Sequence, residues 1–257
     1  MTTSPVFPPG VFRPDPQRAS TLAMVYSQGL VETKLFLRHG EQQLLSLLVP
    51  LGMLFGLAKL PILDIADPLQ QGFPMILTVA ALSSGFTGQA ISLAFDRRYG
   101  ALQRTGASGV PAWTIITGKI IAVTAMLFLQ VFILGSVAFY LGWRTSVVGA
   151  LLGLFLLLIG AACFTSMGLL MGGTLNSEVV LALANLIWVV LMGITGWVLY
   201  SVGLTQASWW DIIPSVALAS ALSQAFSGIL PWTQVVILIM WILVVSFATS
   251  KWFRFAS

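Results

Sequence analysis

The sequence predicts an all-α integral membrane protein with six transmembrane helices, an interfacial amphipathic helix at its N-terminus and an outer re-entrant segment before the last span. Three observations predict this fold class. First, 58% of the 257 residues are hydrophobic and only 8% are charged, whereas soluble domains are about 45–50% apolar. Second, the mean hydropathy is +0.96. Third, the apolar residues are gathered into runs of about 20, the length that crosses a hydrocarbon core roughly 30 Å thick.

Six apolar stretches are long enough to cross the membrane. The first is the least regular, because Pro50 interrupts it and Lys59 stands near its end. Such a proline is tolerated where neighbouring helices satisfy the freed backbone groups. A tight turn at 173–178 separates the fourth stretch from the fifth. The predicted spans lie near residues 42–62, 72–95, 112–141, 147–171, 179–200 and 231–250.

Two segments precede the spans. Residues 1–17 are rich in proline and have neither a basic start nor an apolar core, so we expect a disordered cytoplasmic arm rather than a signal peptide. Residues 18–38 carry an apolar stripe at helical spacing with Lys34 and Arg38 opposite it, which favours a helix in the membrane interface over an ordinary cytosolic helix. We assign residues 18–257 to a single transmembrane domain. The stripe consists of Leu22, Val25, Tyr26, Leu30, Phe36 and Leu37.

Residues 201–230 are predicted to form an outer cap before the last span. The run that follows Asp211 is uncharged and 19 residues long, so its length alone would allow a seventh span. Its serines, together with Pro214 and Gln224, make it too polar for a helix that faces lipid. A short helix or a re-entrant pair buried against protein fits this composition better.

The basic residues decide between six and seven spans. With six spans, ten of the 12 lysines and arginines fall on the side that holds both termini. A seventh span would move Lys251 and Arg254 to the opposite side. Because basic residues accumulate on the cytoplasmic side of membrane proteins, we expect six spans and both termini in the cytoplasm. An aromatic belt at the outer interface then consists of Tyr140, Trp143, Tyr200, Trp209, Trp210 and Trp232.

The densest group of charges lies between the second and third predicted spans. Residues 96–111, here called the elbow, contain Asp96, Arg97, Arg98 and Arg104. We expect a helix that continues through Tyr99, a break at Gly100 and one further turn over 101–105. This geometry would present all three arginines to the cytosol, while Lys119 would extend back to the lipid headgroups. The alternative is that the arginines only set the topology.

Several function classes lack the residues that they need. A single histidine, His39, excludes bis-histidine haem ligation, and a single cysteine, Cys163, excludes a disulfide within the chain. Residues 118–119 resemble the end of a phosphate loop, but Trp113 replaces its first glycine and Ile120 its serine or threonine. We therefore expect the chain itself to bind no nucleotide, metal or other cofactor, and no nucleic acid.

The predicted spans contain no charge at mid-membrane depth. Ion-coupled transporters keep ionisable residues inside the membrane, so uphill transport by this chain would need energy from another subunit. Interhelical hydrogen bonds are the favoured role for the strongly polar mid-span groups, and lining of a transport path is the alternative. These groups are Gln89, Gln130 and Asn185.

The elbow and the residues that follow it, up to Lys119, resemble a known family, the membrane subunits of ABC-2 type exporters. This family includes the daunorubicin-exporter permeases and the permeases that export O antigen and teichoic acid. The sequence differs from the usual family pattern at Gly109, where proline is common, and at Arg98, where an acidic residue is frequent. The residues that match the pattern are Arg97, Gly100, Leu102, Arg104, Val110, Trp113, Gly118 and Lys119.

The resemblance implies a function and partners. In this family the elbow is a coupling helix that docks on separate ABC ATPase subunits, which bind ATP and magnesium. The permease also pairs with a second permease subunit, identical or paralogous, and the two surround the transport path. The coupling residues implied here are Arg97, Arg98, Tyr99, Gly100, Leu102 and Arg104.

We therefore expect the permease of an ATP-driven exporter in a bacterial plasma membrane, surrounded by lipid. The few polar groups in its spans favour a hydrophobic or amphipathic substrate. The alternatives are a non-transporting membrane scaffold or assembly factor and, as the weakest candidate, an intramembrane enzyme.

Overall fold

The computed structural model describes residues 19–38, 40–60, 67–107, 112–205 and 208–253. In this part of the chain the regular structure is helical throughout. The α-helices are α1 (Thr21–Arg38), α2 (Gly40–Lys59), α3 (Pro68–Leu82), α4 (Gly88–Arg98), α5 (Ala101–Ala107), α6 (Ala112–Tyr140), α7 (Val147–Thr174), α8 (Ser177–Ser201), α9 (Pro214–Phe226) and α10 (Trp232–Trp252). A π-helical segment, Ser83–Thr87, joins α3 to α4, and a 3₁₀ turn, Trp209–Ile212, precedes α9. The predicted disordered arm, residues 1–17, lies outside the described residues.

Five helical segments of the described chain are long and apolar enough to cross a membrane. They are Pro68–Arg98, Trp113–Tyr140, Val147–Thr174, Ser177–Ser201 and Trp232–Trp252. The apolar part of α2, Ser46–Lys59, is shorter than a full span. The predicted class, an all-α membrane protein, is confirmed. The sixth span, assigned from the sequence to 42–62, stays a prediction.

The centre of the bundle is built from α9 and the continuous α3–α4 segment. Residues from Pro214 to Ala225 are all buried, and 83% of the apolar window in Pro68–Arg98 is buried as well. The helix α9 packs against α3, α7, α8 and α10. The segment 201–230 therefore contains a short helix enclosed by protein, as its serines indicated. Whether it is re-entrant stays a prediction.

The polar residues of this outer segment are satisfied by one another and by neighbouring helices. Asp211 is 2% exposed and accepts hydrogen bonds from Ser220 Oγ at 2.9 Å and Gln234 Nε2 at 2.8 Å. Thr195 Oγ1 on α8 donates to Ser215 Oγ at 2.9 Å. These bonds join α9 to α8 and α10, and they explain how a polar helix is kept inside an apolar bundle.

The topology predicts opposite membrane sides for the elbow and for the end of the outer segment. Single cysteines introduced at Arg104 and at Ser227, both exposed, are expected to react with an impermeant maleimide from opposite sides of a sealed vesicle. The native Cys163 is buried, so its background labelling should be low. Labelling of both positions from one side would contradict the six-span topology.

Glycines of α7 permit its close contacts with the bundle centre. Gly153 and Gly160 face Phe226 and Leu218 of the outer segment, and a Cβ at Gly168 would lie 2.6 Å from the carbonyl oxygen of Phe86. The spacing Gly168-x-x-x-Gly172 therefore serves contact between α7 and the segment from the π-helix into α4.

Replacing Gly168 with alanine is expected to destabilise the bundle by about 1–3 kcal/mol, because backbone atoms of the neighbouring segment would have to move. Gly135→Ala in α6 is the matched control, since nothing lies within 4 Å of its Cβ position. Apparent melting temperatures of both variants in detergent would test this difference. Equal stability of G168A and wild type would contradict the packing argument.

The predicted aromatic belt is wrong for Trp143. Its side chain is 8% exposed and packs against Phe73 and Phe226, with ring centroids 4.5 Å and 4.9 Å away. Gly142, immediately before it, has a positive φ of 110°. The chain turns there, and the indole of Trp143 lies inside the bundle. Four of the other predicted belt residues are strongly exposed, namely Tyr140, Tyr200, Trp209 and Trp232.

The amphipathic helix α1 packs along α6. Gly29 lies on the contact face, where a Cβ would meet the Ile121 side chain. Leu22 and Tyr26 of the predicted stripe are 83% and 66% exposed, so they remain available to lipid. The side chains of Phe36 and Leu37 lie outside the description.

Candidate functional site

The elbow is a helix break followed by a short separate helix. α4 ends at Arg98, Gly100 adopts a left-handed conformation with φ 67°, and α5 begins at Ala101. Such a φ favours glycine, because a side chain would clash with the backbone. The predicted break is confirmed. The following helix extends to Ala107, beyond the single turn expected from the sequence, and residues 108–111 lie outside the described part.

Arg97 does not face the cytosol, so that part of the prediction is wrong. Its side chain is buried, with 4% exposure, and Nη1 donates hydrogen bonds to the carbonyl oxygens of Gly172 at 2.8 Å and Leu175 at 2.9 Å. The last carbonyl groups of a helix lack partners within it and carry partial negative charge. Arg97 therefore ties α4 to the end of α7.

Arg98 ties the elbow to the next helix. Its Nη1 lies 3.3 Å from the Glu178 carboxylate and 3.1 Å from Ser177 Oγ, both in the first turn of α8. The Arg98 and Glu178 side chains are 46% and 81% exposed, and pairs this exposed stabilise a protein by only about 0–1 kcal/mol. Arg98 thus remains accessible to a partner protein.

The outer surface of the elbow carries Tyr99 and Arg104. Tyr99 is 65% exposed and its ring lies 5.9 Å from that of Phe95. Arg104 is exposed on α5. Leu102, by contrast, is buried in a cluster with Leu93, Ile115 and Leu169, which anchors α5 to the bundle. Of the six predicted coupling residues, Arg98, Tyr99 and Arg104 are accessible at the surface.

A buried group of charges lies beside the elbow. Lys119 is 1% exposed, and its Nζ lies 2.7 Å from Asp96 Oδ2 and 3.2 Å from Glu32 Oε2. Ser92 Oγ is 3.4 Å from the same nitrogen. This charge cluster, Lys119 with Asp96 and Glu32, connects α6, α4 and α1.

The predicted extension of Lys119 to the headgroups is therefore wrong. Two carboxylates from other helices neutralise its charge, so the ammonium group can stay buried. Its neighbour Gly118 explains the close approach of α1, because a Cβ there would meet the Gln28 side chain at 2.7 Å. The only sign of this charge cluster in the sequence was Glu32, the single acidic residue of α1. No sequence pattern indicated that its partner would be Lys119.

The three mid-span polar residues have different surroundings. Gln130 accepts a hydrogen bond from Ser84 Oγ at 3.3 Å and donates one to the Ser46 carbonyl at 3.4 Å, so its role is to join helices. Asn185 is on the exposed face of α8 and bonds to its own helix at Leu181. Gln89 is 2% exposed, and its Oε1 has no hydrogen-bond partner in the described part. Path lining stays a prediction for Asn185 and Gln89.

The π-helical segment is a feature that the sequence analysis missed. Ser83 Oγ accepts a hydrogen bond from Trp188 Nε1 of α8 at 2.9 Å, and Gly85 packs against Phe164 of α7. Such segments often occur at functional sites. The run of serine and glycine at 83–88 was its only sequence signal.

Comparison with known protein families assigns the chain to a family. The family model of the ABC-2 type transporter matches residues 17–230, which include α1, the elbow, the charge cluster and α9. No curated protein matches significantly. Among the described residues, no group of three or more His, Cys, Asp or Glu side chains could hold a metal ion.

Proposed function

Because the chain belongs to the ABC-2 type transporter family, we propose that this multi-pass membrane protein is the permease subunit of an ATP-driven exporter. Membership of this family supports the assignment of the chain as the permease component of a transporter. The proposal adds that separate ABC ATPase subunits bind ATP and magnesium and drive transport, while this chain binds no nucleotide itself.

The observation that carries this proposal is how the elbow is attached. Arg97 and Arg98 join it to α7 and α8, and Asp96 joins it through Lys119 to α6 and α1. A partner that moved α5 would therefore move several helices at once. A basic loop that only set the topology would need none of these connections.

The docking surface in this proposal is formed by Arg98, Tyr99 and Arg104. Two cations and an exposed aromatic ring suit an acidic, partly apolar recess on the ATPase. Arg97 and Leu102 belong to the connection rather than to the docking surface, because both are buried.

The proposed path lies on the exposed side of α8, beside a second permease subunit. Only 17% of the apolar window of this helix is buried. Large side chains such as Leu186, Val189 and Trp197 are half or more exposed, and Gly193 faces open space. Asn185 is an exposed polar group in the middle of this helix. The apolar character of the exposed side of α8 favours a hydrophobic or amphipathic substrate. The proposed location of the protein is a bacterial plasma membrane.

Purification under mild detergent tests the proposal. The tagged chain, isolated from its own host's membranes, is expected to retain an ABC ATPase whose ATP hydrolysis responds to apolar substrates in proteoliposomes. A non-transporting scaffold would instead purify without a nucleotide-hydrolysing partner. Absence of any ATPase, with the chain intact and monodisperse, would contradict the exporter assignment.

A further inference from the structure

Two cavities between the helices share a wall. One of about 450 Å³ lies among α6, α7 and α10, and one of about 250 Å³ continues from it toward Leu102 of α5. Because they have four lining residues in common, the two cavities are adjacent, and together they are here called the crevice. The residues that line both parts are Ile116, Leu169, Thr249 and Ser250.

The crevice opens at the surface of the bundle and is apolar inside. Ile116 and Ile120 at its edge are 38% and 46% exposed, whereas Val123 and Ala161 on its wall are 2% and 4% exposed. Three of the six hydroxyl side chains in the lining donate hydrogen bonds to backbone carbonyl oxygens of their own helices, 2.8 Å away. These are Ser166, Thr249 and Ser250. The space therefore suits hydrocarbon better than a polar ligand.

The length of the crevice matches one leaflet of a bilayer. Its wall on α6 extends from Ile116 to Thr124, which is about 12 Å along a helix. Half of a hydrocarbon core is roughly 15 Å thick. The remaining walls come from the last halves of α7 and α10, so the crevice lies in the half of the bundle next to the elbow. An apolar cavity of roughly 150 Å³ already binds benzene.

An exposed cation lies in the last turn of α10, next in sequence to the residues that line the crevice. Lys251 directly follows Ser250, is exposed, and forms no ion pair with any described residue. Trp252 beside it is 59% exposed, and Lys and Trp are typical of the headgroup level. Lys119, which also borders the space, is already neutralised by Asp96 and Glu32.

We propose that the crevice between α6, α7 and α10 is a binding site for one acyl chain of an anionic phospholipid from the leaflet on the elbow side. The apolar walls hold the chain, and Lys251 attracts the phosphate of the headgroup. This site is separate from the exposed side of α8 where the transport path is placed, so it would also exist in a protein that transports nothing.

Photolabelling in nanodiscs tests the site with the full chain. A phosphatidylglycerol that carries a diazirine in its acyl chain is expected to label peptides covering 116–124 and 242–250. Ala162 is an exposed residue of the lining, so Ala162→Trp should fill the crevice and reduce this labelling about tenfold. Val244→Trp is the matched control, because Val244 is 57% exposed on α10 and is not part of the lining.

The headgroup is tested with a phosphatidylcholine that carries the same photoreactive chain. We expect it to label the peptides roughly fivefold less, since a lysine near the membrane surface favours anionic lipid by about that factor. Lys251→Gln should remove the difference. Equal labelling by both lipids would overturn the headgroup assignment, and labelling unaffected by A162W would overturn the site.

Discussion

Replacing Lys119 with methionine is expected to destabilise this permease more than any other single change to its charged residues. The ammonium group is buried between the carboxylates of Asp96 and Glu32, whose side chains are 34% and 14% exposed. Removing one partner of a buried ion pair costs about 3–5 kcal/mol, because the remaining charge is left without compensation. We expect about 3 kcal/mol, since Asp96 keeps part of its hydration. The apparent melting temperature of the purified chain measures the effect.

Neutralising the two acids separates loss of charge balance from loss of packing. Adding Asp96→Asn and Glu32→Gln to Lys119→Met is expected to recover much of the stability, because no uncompensated charge remains. Lys34→Met is the control for removal of a cation, since Lys34 is exposed on the same α1 that carries Glu32. If K119M were as stable as the Lys34 control, the charge cluster would have no structural role.

Reversing the charges of Arg98 and Arg104 together is expected to uncouple the permease from the proposed ATPase while leaving it folded. Both side chains are exposed, so the fold does not depend on their burial. Opposing like charges across an interface costs several kcal/mol, which corresponds to at least a tenfold fall in substrate-stimulated ATP hydrolysis. Hydrolysis and vesicle transport by the reconstituted complex measure the effect.

Two further variants test whether a loss of coupling comes from the docking surface. Glu178→Gln removes the surface pair of Arg98 without changing the docking surface, and it should leave coupling intact. Arg97→Ala should lower the stability of the chain instead, because the carbonyl groups of Gly172 and Leu175 would lose a buried donor. Normal coupling in a correctly inserted R98E/R104E variant would contradict the docking proposal.

The sequence alone determined the class of the protein, its family and most of its helices. Lipid selects for apolar residues at every lipid-facing position of a span, so the hydropathy of a segment reports its environment without knowledge of its neighbours. The break at Gly100 could also be predicted from the sequence, because the left-handed conformation there depends on the residue itself. The elbow pattern that indicated the ABC-2 family is likewise contiguous in the chain.

Only the tertiary structure decided which charges are exposed. Arg97 and Arg98 are adjacent and chemically identical, yet Arg97 is buried against the end of α7 while Arg98 remains at the surface. Lys119 is buried because Asp96 and Glu32 reach it from two other helices, across separations of 23 and 87 residues. The free energy of a buried charge depends on the distance to its partners in space, and spacing along the chain contains no information about that distance until the helices have packed.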